Sequence, residues 1–71
     1  MTRTVKNPTE RRSEIIEAAK RLFQTQEYDK TSMQEIMDEL KIAKGTIYHY
    51  FASKEALFEA VIEDIAEENS Q

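Results

Sequence analysis

Between Lys44 and Lys54 the chain carries a dense run of hydrogen-bonding groups set among large apolar residues: Lys44-Gly45-Thr46-Ile47-Tyr48-His49-Tyr50-Phe51, then Ser53 and Lys54. Ile47 and Phe51 stand four apart and share one helical face, which leaves Lys44, Thr46, Tyr48 and His49 on the outside. Those side chains suit a nucleic-acid duplex. An ammonium meets a guanine edge or a phosphate, a Thr methyl packs on a thymine methyl, and a phenol or imidazole donates to phosphate oxygens. At Gly45 the missing Cβ lets the backbone come close to a partner, and Lys54 with the backbone N–H groups of a helix start offers a further phosphate contact. Catalysis finds no comparable set. With one His, no Cys and a single Gly, the chain has neither a nucleophile and base pair nor a glycine-rich phosphate loop, so no enzyme activity, cofactor or metal is expected.

The elements that must hold these groups are helices throughout. One Gly and one Pro in 71 residues leave almost no turn punctuation, and the apolar spacing is helical. Four helices are expected, near 8–26, 33–40, 44–51 and 54–68. The first opens at Asn7-Pro8-Thr9-Glu10, a cap with Pro at the first helical position, and buries Ile15, Ile16, Ala19, Leu22 and Phe23. Tyr28 anchors the following bend by packing inward. Ser32 and Glu35 form a capping box for the second helix, whose core face is Met33, Ile36, Met37 and Leu40. Lys41-Ile42-Ala43 is a tight turn with Ile42 as its apolar plug. Ser53 caps the fourth helix, with Leu57, Phe58, Val61, Ile62 and Ile65 as its buried stripe. Two short helices joined by a three-residue turn and flanked by longer ones are the layout that puts the second of the pair in the major groove.

The net charge of −4 argues against nucleic acid until it is divided along the chain. Residues 55–71 hold six acids and no Lys or Arg, so residues 1–54 carry all ten bases against eight acids. The duplex-facing part is therefore net basic and the last helix acidic. No run approaches the ~20 apolar residues that span a bilayer, and no secretory signal opens the chain, so the expectation is a cytoplasmic protein.

The run from Lys44 to Phe51, followed by Ser53-Lys54-Glu55-Ala56-Leu57-Phe58, closely resembles the recognition-helix signature of tetracycline-repressor-type (TetR family) regulators. The resemblance extends through Thr31-Ser32-Met33-Gln34-Glu35-Ile36 and through Ile15 to Phe23, covering about residues 9–66. It implies an all-α, four-helix, homeodomain-like helix-turn-helix domain over residues 9–66. Arg3 and Lys6 fall in a flexible basic arm at 1–8. Residues 67–71 would be the fraying end of a connector toward a ligand-binding and dimerisation domain that these 71 residues do not contain. By resemblance, Gln34, Lys44, Gly45 and Thr46 approach base edges, and Ser32, Ala43, Tyr48, His49, Tyr50 and Lys54 lie along the DNA backbone. The implied protein is a bacterial or archaeal ligand-released repressor that binds a palindromic operator as a homodimer and takes its small-molecule inducer through the other domain.

Several positions depart from the family pattern. Glu27 and Lys41 stand where the family commonly has Gly in left-handed turns, which costs a residue with a Cβ ~1 kcal/mol each. Ala43 stands where it has a capping hydroxyl, and Met33 where it has a small hydroxyl residue. The rival reading is a helical protein-interaction module without DNA binding, since acidic amphipathic helices also dock into grooves of partner proteins; base-edge residues clustered on one short helix favour DNA.

Overall fold

The computed structural model of the protein describes residues 8–69. Helix α1 spans Pro8–Thr25, a single 3-10 turn Tyr28–Lys30, α2 Met33–Leu40, α3 Lys44–Tyr50 and α4 Lys54–Asn69. The all-α expectation holds, with helix ends within a residue of those read from spacing. The Asn7 cap and the basic arm with Arg3 and Lys6 lie outside the described residues.

Helix α1 is the spine against which α2 and α4 both pack, while α3 leans on α2. Its stripe of Ile15, Ile16, Ala18 and Ala19 is buried together with Ile36 and Met37 of α2, Ile47 of α3, and Leu57 and Val61 of α4. Small Ala18 and Ala19 let neighbouring helices close on α1. The α4 stripe is narrower than expected: Leu57, Ala60 and Val61 are buried, whereas Ile62 is 49% exposed. The reason is angular. Ile62 sits ~100° round the helix from Val61, beyond the face that α1 covers. Among the described residues no helix is long and apolar enough to cross a membrane.

Two clasps close the ends of this bundle. Phe23, Tyr28 and Phe58 form a triangle of rings with centroids 4.7 to 5.4 Å apart, so Tyr28 does anchor the bend after α1. Burial, then the charges of Glu55 and Asp29, push its phenol above the ordinary range. Farther along, the Lys20 ammonium meets Asp64 at 2.7 Å, Glu68 at 2.9 Å and Glu17 at 3.5 Å. Hydrogen bonding to Asp64 and then Glu68 holds its pKa well above the usual lysine range. A raised lysine pKa stabilises fully below the ordinary value and is lost only as pH climbs through the raised one, so the clasp is intact on the lysine side at neutral pH.

The two expected left-handed turns resolve differently. Lys41 ends α2 at φ 58, ψ 44, with its N–H and that of Ile42 both on the Met37 carbonyl, which is the closure that glycine usually makes. Glu27 is instead extended at φ −67, ψ 148, because the chain enters the 3-10 turn directly and needs no reversal there. Only Lys41 therefore bears the cost. Lys41→Gly is expected to raise stability by ~0.5 kcal/mol, the relief of ~1 kcal/mol being partly offset by a freer unfolded chain. Urea denaturation measures it; a loss of stability would show that the Lys41 side chain contributes more than its backbone costs.

Candidate nucleic-acid interface

The capping box at the start of α2 is complete. Ser32 Oγ accepts from the Glu35 N–H at 3.2 Å, and the Ser32 N–H donates to Glu35 Oε1 at 3.1 Å. The same carboxylate oxygen accepts from Gln26 Nε2 at 2.9 Å, which pins the α2 start to the end of α1. Because the Ser32 oxygen acts as acceptor, its O–H stays available as a donor to an incoming oxygen. Two residues on, Gln34 is exposed, and its Nε2 donates to Asp38 Oδ1 at 2.9 Å. The amide is thereby aimed along α2, with its carbonyl and its second N–H open.

Helix α3 is set by the turn before it. Ala43 is its N-cap in extended conformation with no side-chain cap bond, and its carbonyl accepts from the Thr46 and Ile47 N–H groups at 3.0 and 3.2 Å. The expected loss of a capping hydroxyl is thus real, and it costs ~1 kcal/mol relative to Ser or Thr. Ile47 is completely buried and Phe51 nearly so, as the four-residue spacing requires. Lys44, Gly45, Tyr48 and His49 are exposed, and Thr46 and Tyr50 are half-buried. A Cβ built on Gly45 would meet nothing within 4 Å. Packing inside the protein therefore does not explain a glycine in this helix, where it costs up to ~1 kcal/mol relative to Ala. His49 and Tyr50 stack edge to face at 5.1 Å, so the two rings brace each other beside the exposed face.

These elements bring five of the ten expected residues to one open hollow. Ser32, Gln34, Lys44, Tyr48 and Lys54 line it, with Met33 and Met37 in its floor. Met33 is buried, a core residue rather than a contact. Ala43, Gly45, Thr46, His49 and Tyr50 do not line the hollow; they sit on α3 and its cap. Sequence reasoning passed over Lys30, an exposed cation on the rim, and Asp38, the partner of Gln34. Both were available: Lys30 lies two residues before the cap, and a Gln and an Asp four apart on a helix are neighbours.

Lys54 departs from a free phosphate ligand. Its Nζ donates to the carbonyls of Tyr28 and Thr31, each at 3.0 Å, and lies 4.2 Å from the centroid of the Tyr28 ring. Ser53 caps α4 through the Ala56 N–H at 3.1 Å, as its place in the sequence implies. Away from the hollow, Glu17, Asp64 and Glu68 bring carboxylate oxygens within 4.8 Å of one another. The Lys20 ammonium occupies their midst, which gives them a cation without a metal.

Residues 15–61 match the family model described as bacterial regulatory proteins, tetR family. Over 43 residues the chain is 58% identical to the HTH-type transcriptional regulator YuxN of Bacillus subtilis, covering 61% of this chain and 15% of that protein. It is 41% identical over 51 residues to the HTH-type transcriptional regulator UidR of Escherichia coli, covering 72% and 26%. It is 34% identical over 61 residues to the HTH-type transcriptional repressor KstR2 of Mycolicibacterium smegmatis, covering 86% and 30%. The chain thus spans less than a third of the length of each of these relatives. No solved structure matches it.

Proposed function

We propose, on the premise that the chain belongs to the tetR family of bacterial regulatory proteins and so to a family of DNA-binding regulators, that α3 enters the major groove of an operator. Lys44, Gly45 and Thr46 approach base edges there, helped by Gln34 from α2. Ser32, the Ala43 cap, Tyr48, His49 and Tyr50 run along the phosphates on either side. The observation that carries this reading is Gly45: an exposed helix position held by a residue that, proline aside, is the least favourable to a helix, with nothing inside the protein to require it. A surface that must come within backbone distance of a partner accounts for it.

In the intact regulator two such domains read a palindromic operator, joined through a second domain that also takes a small-molecule inducer, and the protein acts as a repressor. A relative named as a repressor, KstR2, supports that last assignment. A single domain then engages one half-site, so the 71-residue chain is expected to bind as a monomer and weakly.

Gly45→Ala tests the reading because fold and function move in opposite directions. The added methyl finds open space in the free protein and is expected to raise stability by ~0.5 kcal/mol. At the same position it holds the helix away from the bases, and Kd for a duplex is expected to rise about tenfold, ~1.4 kcal/mol. Thermal melts and fluorescence anisotropy with a labelled duplex read the two effects. A variant that is both more stable and equally tight would remove the backbone approach from the account.

A further inference from the structure

Lys54 opens α4, yet its ammonium turns back onto the chain. An ammonium has three N–H donors, and two of them end on the main-chain carbonyls of Tyr28 and Thr31, 26 and 23 residues earlier. The charge rests on the face of the Tyr28 ring, an attraction that partial burial strengthens. These partners bracket the 3-10 turn Tyr28–Lys30. Thr31 is itself buried, and its hydroxyl donates to the Glu27 carbonyl at 3.1 Å; the next residue, Ser32, caps α2. Two charge-assisted hydrogen bonds and the ring hold the ammonium against the loop, which leaves one N–H for any outside oxygen.

We infer that Lys54 is a positioning residue that anchors the Tyr28–Ser32 loop to the amino end of α4, so that the Ser32 end of α2 moves with α4. The Phe23, Tyr28 and Phe58 rings support this link from the apolar side. Any displacement of the first turn of α4 is then handed directly to the cap that starts the α2–α3 unit. The consequence for DNA rests on the function proposed above; the anchoring itself does not.

Lys54→Met and Lys54→Gln in the 71-residue chain separate positioning from phosphate contact. Met removes every donor, while Gln keeps an N–H within reach of the carbonyls but carries no charge. In the free protein, Lys54→Met is expected to shift the amide resonances of residues 28–35 and speed their hydrogen exchange, with Lys54→Gln closer to the wild type. Kd for a mixed-sequence duplex should rise on the order of tenfold in Lys54→Met and less in Lys54→Gln. The slope of log K against log salt should stay unchanged. A slope shallower by about one in both variants alike, the mark of one lost phosphate contact, overturns the inference. So does a free-state spectrum unmoved at residues 28–35. If Lys54→Met fails to fold, Lys54→Gln carries the same comparison, and if the wild-type chain does not bind the duplex, the function falls while the free-state spectra still decide the anchoring.

Discussion

Ile47→Ala is expected to cost about 2–5 kcal/mol of stability, on the order found for Ile deletions in closed cores. A protein of this size has about 4–10 kcal/mol in total, so the loss takes a large part of the margin. Ile47 is completely buried and is the one buried side chain within α3. A helix of seven residues does not persist alone in water, where isolated helices shorter than ~12 residues are marginal. With no side-chain cap at Ala43, α3 depends on this single anchor and on Phe51 just past its end. Removing three carbons there releases the surface that Lys44, Gly45 and Thr46 present. Urea denaturation gives the number; Tyr48→Ala, one residue away and exposed, is the control and should stay within ~0.5 kcal/mol of the wild type. A cost below 1 kcal/mol for Ile47→Ala would mean that α3 is held by something other than its buried side chain.

Lys44→Ala is expected to leave stability within ~0.5 kcal/mol and to weaken binding to a preferred duplex by ~1–3 kcal/mol, the worth of a bidentate contact to a guanine edge. Lys44 is the first residue of α3 and exposed, and it lines the same hollow as Gln34 and Tyr48. A base contact and a phosphate contact differ in what else they change. The first relaxes preference at one base position, and the second weakens all sequences alike and flattens the salt dependence. Selection from a randomised duplex pool, with the wild type and the variant side by side, makes the comparison. An identical sequence preference at every position would move Lys44 from the bases to the backbone.

Local signals were the ones the sequence carried plainly. Ser32 with Glu35, Ser53 before α4, and Ile47 with Phe51 are each patterns within four residues, and each forms as its chemistry requires. The left-handed Lys41 was indicated by the resemblance, which puts a family glycine at that position. Glu27 was not, because the resemblance to family glycines gave the position but not the conformation, and a 3-10 turn takes up the direction change without a positive φ. Ile62 was misread because a stripe of Leu57, Val61 and Ile65 invites its neighbours into the core, while the width of the covered face depends on how squarely α1 meets α4. Lys54 is the clearest case of what spacing cannot supply. Its carbonyl partners lie more than twenty residues away, and only the folded chain brings an ammonium at one helix start onto the loop that feeds another. The outward face of α3 was legible because donors on a short helix whose inward face is fixed by two apolar residues have only one side left to occupy.

The central claim is that α2 and α3 present the DNA-binding surface, and an amide-resolved NMR titration of the chain with a mixed-sequence duplex, at low and then higher salt, tests it most directly. Shifts centred on residues 32–34 and 43–50 that fade as salt rises are the predicted result. Shifts confined to the acidic outer face of α4 around Ile62, or shifts at α3 indifferent to salt, would contradict it and return the chain to the reading of a protein-interaction module.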